Sequence, residues 1–228
     1  MKATLEAINQ MQADGVICHY ALGGTVAATY YIEPLTTSEV EVVVILPFNP
    51  AGPKASQTSL HEHLITHRCK ADGEYFDVGG WPVRFEVASN DLEREAVASS
   101  LPVPVDNGRT WVMMAEHLVA IALTLNRLKD EHWMIRFIER DVIDELTLRG
   151  ILTLHDLTGK WALFERGHPS QFPSEEEMRN QLAVLSFSEK LKILGRLRDR
   201  EQTLAAAGLR RRSILSEAER VSNRGDKS

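Results

Sequence analysis

Residues 21–46, which read ALGGTVAATYYIEPLTTSEVEVVVIL, carry most of the information about the fold. The stretch contains the glycine turn Gly23-Gly24-Thr25 and ends in a run of β-branched residues that predicts a buried strand over 39–46. Between them, residues 26–31 are predicted to form a short helix. Pro34 ends this helix, because proline disfavours helical geometry at the residue before it. A glycine turn, a helix and a buried strand in this order indicate a mixed α/β unit.

Two acidic residues, Glu39 and Glu41, begin the predicted strand. Alternate side chains point to the same face of a strand, so both carboxylates are predicted to project from one surface. Mg²⁺ prefers oxygen ligands and usually takes one or two protein carboxylates together with substrate phosphates. A glycine turn before a helix also allows backbone N–H groups to approach phosphate oxygens. The two features predict a phosphate and metal site, and a solvated strand face is the alternative interpretation of the acids.

A third acid, Glu86, lies in a second strand region. Two predicted strands flank Gly79-Gly80, a pair that is typical of a hairpin. In the second of these strands Glu86 shares one face with Arg84. Glu86 is therefore a candidate metal ligand, or a base for an acceptor hydroxyl, and the alternative is that it belongs to an ordinary polar strand face.

The character of the sequence changes after about residue 110. Helices are predicted over 115–129, 132–146 and 154–164, and another is predicted to begin at Ser174, where a capping-box pattern occurs. We predict an α+β fold with three parts: a mixed α/β domain over residues 1–110, a helical domain over 111–209 and a disordered polar tail over 210–228.

Composition limits the classes of function. The chain has 228 residues, of which 43% are hydrophobic, so it can bury a sizeable core. Its formal net charge of −6 argues against a general nucleic-acid-binding surface. Cys18 and Cys69 lack the spacing of a zinc site or a disulfide framework, so a cytoplasmic location is predicted. The most apolar stretch, residues 111–125, is too short to cross a bilayer, so no membrane association is predicted.

Two groups of residues resemble motifs of one family. The first group consists of residues 21–28, residues 30–34, Thr37 and residues 39–42, and the second consists of residues 116–120, Arg127, Lys129 and Asp130. In their order and spacing they resemble nucleotidyltransferase-like proteins of the abortive-infection AbiEii type. In that superfamily a Gly-Gly or Gly-Ser turn precedes an acid, an apolar residue and a second acid. The resemblance lies within the first 140 residues and implies a nucleotidyltransferase-like mixed sheet with flanking helices.

The resemblance also implies a function. It is the Mg²⁺-dependent transfer of a nucleotide from a nucleoside triphosphate to an acceptor hydroxyl, which RNA, a protein or a small molecule would supply. The acids implied for catalysis and metal binding are Glu39, Glu41 and Glu86. The residues implied for nucleotide binding are Gly23, Gly24, Thr25 and Lys129. A toxin–antitoxin role with a protein partner would follow from the resemblance alone.

The chain also departs from the family pattern. Leu35, Ala122 and Trp133 stand where the family is expected to have two basic residues and a further acid, and the usual aspartates of the acid pair are glutamates. These departures motivate an alternative function, in which a catalytically inactive nucleotidyltransferase fold serves as a binding or assembly module.

Overall fold

The computed structural model describes residues 1–50, 52–106, 108–168 and 184–206. Its strands are β1 (His19–Gly23), β2 (Val40–Ile45), β3 (Ala71–Asp72), β4 (Tyr75–Val78), β5 (Trp81–Val87), β6 (Leu101–Val105) and β7 (Gly108–Val112). They form one mixed sheet in the order β3-β4-β5-β2-β1-β7-β6. The helices are α1 (Lys2–Ala13), α2 (Gly24–Tyr31), α3 (Pro53–Thr66), α4 (Asp91–Ala98), α5 (Ala115–Leu125), α6 (Leu128–Glu139), α7 (Glu145–Leu154), α8 (Thr158–Gly167) and α9 (Phe187–Ala206). The predicted α+β class is confirmed.

Strand β2 lies at the centre of the sheet. It pairs antiparallel with β1 and parallel with β5, and Val40, Val42 and Val44 are fully buried. β-branched residues fit such a strand because they pack well on a pleated surface. The register places Glu41 beside Gly23 of β1 on one side and beside Arg84 of β5 on the other. Three segments that are distant in sequence therefore meet at one point of the sheet.

The hairpin predicted around Gly79-Gly80 is confirmed. β4 and β5 pair antiparallel, and both glycines have positive φ, 60° and 83°. Two successive positive φ values match the right-handed twist of the flanking strands and favour glycine. The first strand, β1, begins at His19, directly after the apolar residues Val16, Ile17 and Cys18.

The helix boundaries after residue 115 also differ from the prediction. The predicted helix over 115–129 ends at Leu125, and the next helix runs over Leu128–Glu139 rather than over 132–146. Asn126 causes the break, since it adopts the left-handed conformation with φ 50° and caps α5 through its N–H to the carbonyl of Ala122. Asparagine tolerates this conformation better than most residues. Lys129 therefore lies at the start of α6 and not at the end of α5.

One hydrophobic core joins the sheet to the helices that follow it. α5 packs against α2 and α4, and α9 packs against α2 and β6. The predicted domain boundary at residue 110 falls inside β7. The helix predicted to begin at Ser174 and the tail predicted over 210–228 lie outside the described residues. None of the described helices is long and apolar enough to span a membrane.

Candidate functional site

The candidate site is a cleft between the β1–α2 turn, β2, β5 and the start of α6. A cavity of about 100 Å³ opens there. One part of its wall is charged and includes Arg84, Glu86, Arg127 and Asp130. The other part is apolar and consists of Val43, Met113, Leu118, Ile121, Ala122, Leu125 and Trp133. The cleft combines charged and apolar walls, as is common in small-molecule sites.

The glycine turn brings Glu41 next to the first turn of α2. Gly24 has φ +54°, and a Cβ placed on it would lie 2.7 Å from both Cδ and Oε1 of Glu41. Gly23 is extended, and a Cβ there would make only ordinary contacts, 3.8 Å from the side chain of Met113. Thr25 is half-buried, and its carbonyl accepts a hydrogen bond from Thr29. A helix N-terminus favours anions, so the Glu41 carboxylate occupies a place that also suits a phosphate.

Glu41 is the centre of an ion-pair network. Its Oε2 lies 2.9 Å from Arg84 and 3.0 Å from Arg127, and its Oε1 lies 2.8 Å from Lys129. Only 9% of the Glu41 side chain is exposed. Cations from β5 and from the α5–α6 junction thus engage both oxygens of this carboxylate.

Glu39 precedes β2 and shares a cation with Glu41. The ammonium of Lys129 contacts one oxygen of each carboxylate. Burial opposes ionisation of Glu39, but hydrogen bonds from Lys129 and Tyr75 outweigh it and hold the pKa of this carboxyl below its usual value. Burial by itself would lower the pKa of Lys129. The hydrogen bonds from Lys129 to Glu39 and Glu41 outweigh burial and raise this pKa above its ordinary value. Both partners are charged at neutral pH.

Glu86 joins the network through an arginine. Arg84 lies between the two acids, 2.9 Å from Glu86 and 2.9 Å from Glu41. The Glu86 side chain is 49% exposed. We call Glu39, Glu41, Glu86, Asp130, Arg84, Arg127 and Lys129 together the charged cluster.

Buried Asp130 holds the start of α6 in position. It accepts a hydrogen bond of 2.6 Å from Nε of Arg127 and one of 3.3 Å from the indole N–H of Trp133. Asp130 and Trp133 are each 1% exposed. Trp133 stands where the family resemblance implies a further acid, and its indole N–H donates a hydrogen bond to Asp130. Ala122, where the resemblance implies a basic residue, is buried in the cavity wall.

Basic side chains engage the three acids that were predicted to bind metal. Mg²⁺ requires free carboxylate oxygens, whereas basic side chains engage both oxygens of Glu41 and one each of Glu39 and Glu86. Among the residues that the structure describes, no group of three or more His, Cys, Asp or Glu side chains is disposed to hold a metal ion. Metal binding at these acids stays a prediction of the sequence.

Three members of the charged cluster, Arg84, Arg127 and Asp130, were not predicted to be site residues. Arg84 shares a strand face with Glu86, and this alternation was the available signal, but it does not reveal which strand pairs with β5. Arg127 belongs to the helical motif, yet its contact with Glu41 spans 86 positions of the chain. Both arginines became recognisable only when the strand register and the break after α5 were known.

Comparison with protein-family models and with curated proteins found no match to this chain. The nucleotidyltransferase resemblance therefore rests on the two motifs, and a functional conclusion has to come from the chemistry of the cleft.

Proposed function

We propose that the protein is a nucleotidyltransferase-like protein that binds the phosphates of a nucleoside triphosphate at this cleft. The observation that carries the proposal is the convergence of Arg84, Arg127 and Lys129 next to the N-terminus of α2. Arginine binds phosphate through two parallel hydrogen bonds, and lysine binds it as a point charge. A helix N-terminus adds backbone N–H groups to such a site.

Exchange of anions explains how a phosphate enters the cluster. The carboxylate of Glu41 lies against the first turn of α2 and pairs with the basic residues. A triphosphate offers the same donors more negatively charged oxygens, so it competes with Glu41 for Arg84 and Arg127. Binding is therefore expected to weaken steeply with added salt.

The ion pairs favour a binding module over a metal-dependent transferase. A metal ion at Glu41 would have to displace three basic side chains from a carboxylate that is 9% exposed. Breaking one buried ion pair costs about 3–5 kcal/mol. The geometry thus supports nucleotide binding without a need for metal.

Mg²⁺-dependent nucleotide transfer to an acceptor hydroxyl is the second candidate. It is supported by one observation, namely that Glu39 and Glu41 both reach the single Nζ atom of Lys129. Mg²⁺ in such sites usually takes one or two protein carboxylates, and these two already converge on one cation. The acceptor, whether RNA, protein or a small molecule, a cytoplasmic location and a toxin–antitoxin partner all stay predictions.

The test is a calorimetric titration with ATP, GTP, CTP and UTP, each with and without Mg²⁺. We expect at least one triphosphate to bind in the absence of Mg²⁺, and Arg127→Ala to weaken that binding by about tenfold or more, since one charge-assisted contact contributes about 1.5–3 kcal/mol. Arg149→Ala is the matched control, because Arg149 is 72% exposed and pairs only with Glu145 four residues away in the described structure. Absence of binding by all four triphosphates would refute the proposal. Mg²⁺-dependent pyrophosphate release by the wild type would select the transferase.

A further inference from the structure

We propose that the ammonium of Lys129 replaces the divalent cation at Glu39 and Glu41, so that the wild-type acid pair takes no metal ion. The inference deepens the proposed function, on which it rests only for the expectation that nucleotide binding needs no Mg²⁺. It makes Lys129 the residue that determines whether this site uses metal.

The first support is geometric. One atom, Nζ of Lys129, contacts an oxygen of Glu39 and an oxygen of Glu41. A divalent ion shared by the two carboxylates would lie at this same point between them. The remaining oxygen of Glu41 is 2.9 Å from Arg84 and 3.0 Å from Arg127, so it offers a metal no second approach.

The second support is the way in which Lys129 is positioned. It lies between Arg127 and Asp130 at the start of α6, and those two residues are joined by a 2.6 Å hydrogen bond. Asp130 is also held by the buried indole of Trp133. The backbone at Lys129 is therefore fixed on both sides, and its side chain has a short path to the acid pair.

The third support is the balance of charge. The charged cluster contains four carboxylates and three basic side chains, so its formal charge is −1. A divalent ion added to this set would leave a net positive charge among partly buried groups, which is unfavourable. Without Lys129 the same set carries −2, and one divalent ion then neutralises it.

The experiment is a titration with Mn²⁺ in the absence of nucleotide, followed by calorimetry and by the electron paramagnetic resonance signal of free Mn²⁺. The wild type is expected to show no saturable site at millimolar Mn²⁺. Lys129→Met is expected to gain one Mn²⁺ site, with an affinity at least about tenfold higher than any Mn²⁺ binding by the wild type. The reason is that the substitution removes a unit positive charge within contact distance of both acids. Glu41→Gln in the Lys129→Met background should abolish the gained site.

The matched control is Lys192→Met. Lys192 lies 3.5 Å from one carboxylate, that of Asp106, so the same substitution there should produce no metal site. Lys129→Gln repeats the test with a polar side chain if the methionine variant does not fold, as judged by circular dichroism.

Either of two results would overturn the proposal. One is a wild-type Mn²⁺ site that Glu41→Gln removes, a measurement that does not depend on the stability of the lysine variants. The other is a folded Lys129 variant whose Mn²⁺ affinity equals that of the wild type. Neither depends on nucleotide, so failure of the proposed function and failure of this inference can be distinguished.

Discussion

Substitution of Gly24 by alanine tests the contact on which the cleft is built. The alanine Cβ would lie 2.7 Å from Cδ and Oε1 of Glu41, a separation that real Cβ atoms essentially never show, and 3.1 Å from Oε2, which is a tight contact. A free carboxylate would simply rotate away. This carboxylate is held by Arg84, Arg127 and Lys129, so its displacement breaks ion pairs.

The expected loss of stability has two parts. Alanine at φ +54° is in the left-handed region, which costs about 1–2 kcal/mol for a residue with a Cβ. Partial displacement of Glu41 from its buried ion pairs adds about 1–3 kcal/mol, less than the full cost of breaking such a pair. The free energy of unfolding should therefore fall by about 2–5 kcal/mol in total.

Urea unfolding followed by tryptophan fluorescence measures this loss. A denaturant slope of about 2 kcal/mol per molar converts it into a decrease of about 1–2.5 M in the unfolding midpoint. Gly23→Ala is the matched control, since Gly23 is extended and its added Cβ would approach no atom closer than 3.8 Å. We expect this control to change the free energy of unfolding by less than about 1 kcal/mol.

A double-mutant cycle separates the two parts. In a Glu41→Ala background the steric conflict is gone, so Gly24→Ala should cost only the backbone component of about 1–2 kcal/mol. The reasoning is refuted if Gly24→Ala unfolds at the same urea concentration as Gly23→Ala. Equal costs of Gly24→Ala with and without the Glu41 carboxylate would likewise show that the contact is not the cause.

Three further predictions concern buried groups. Burial lowers the pKa of Lys190, which donates to the carbonyl of Tyr30, to about 8. Since the unfolded chain retains the proton up to about pH 10.4, the free energy of unfolding should rise by about 3 kcal/mol between pH 8 and 10.4, and Lys190→Met should remove that rise in pH-dependent urea melts. Trp133→Ala should cost about 3–5 kcal/mol in urea unfolding, because it opens a cavity and removes the N–H that Asp130 accepts. Tyr20→Phe should lower the thermal midpoint, with a loss of about 1–2 kcal/mol, because the buried hydroxyl contacts two polar side chains; an unchanged midpoint would contradict this.

Local patterns were sufficient for the elements around the opening motif. The helix after the glycine turn, the buried strand that contains Glu41 and the Gly79-Gly80 hairpin follow from residue type and periodicity, which act over a few neighbouring residues. The same patterns put Glu39 and Glu41 close enough to share a partner. These patterns were also sufficient to predict the α+β class, because each helix and strand has its own sequence signal.

Local patterns could not predict which cations pair with Glu39 and Glu41. Arg84 reaches Glu41 because β2 and β5 pair in parallel in one register, and a shift of one residue would turn Arg84 to the opposite face of the sheet. Lys129 reaches the acids because Asn126 ends α5 three residues earlier. Lys129 therefore lies in the first turn of α6, which begins at Leu128. The register of β2 against β5 pairs Glu41 with Arg84, and the contact between Glu41 and Lys129 spans 88 positions of the chain, so neither can be seen in a short stretch of sequence. The acids were thus visible in the sequence, whereas the three cations that neutralise them were brought together only by folding.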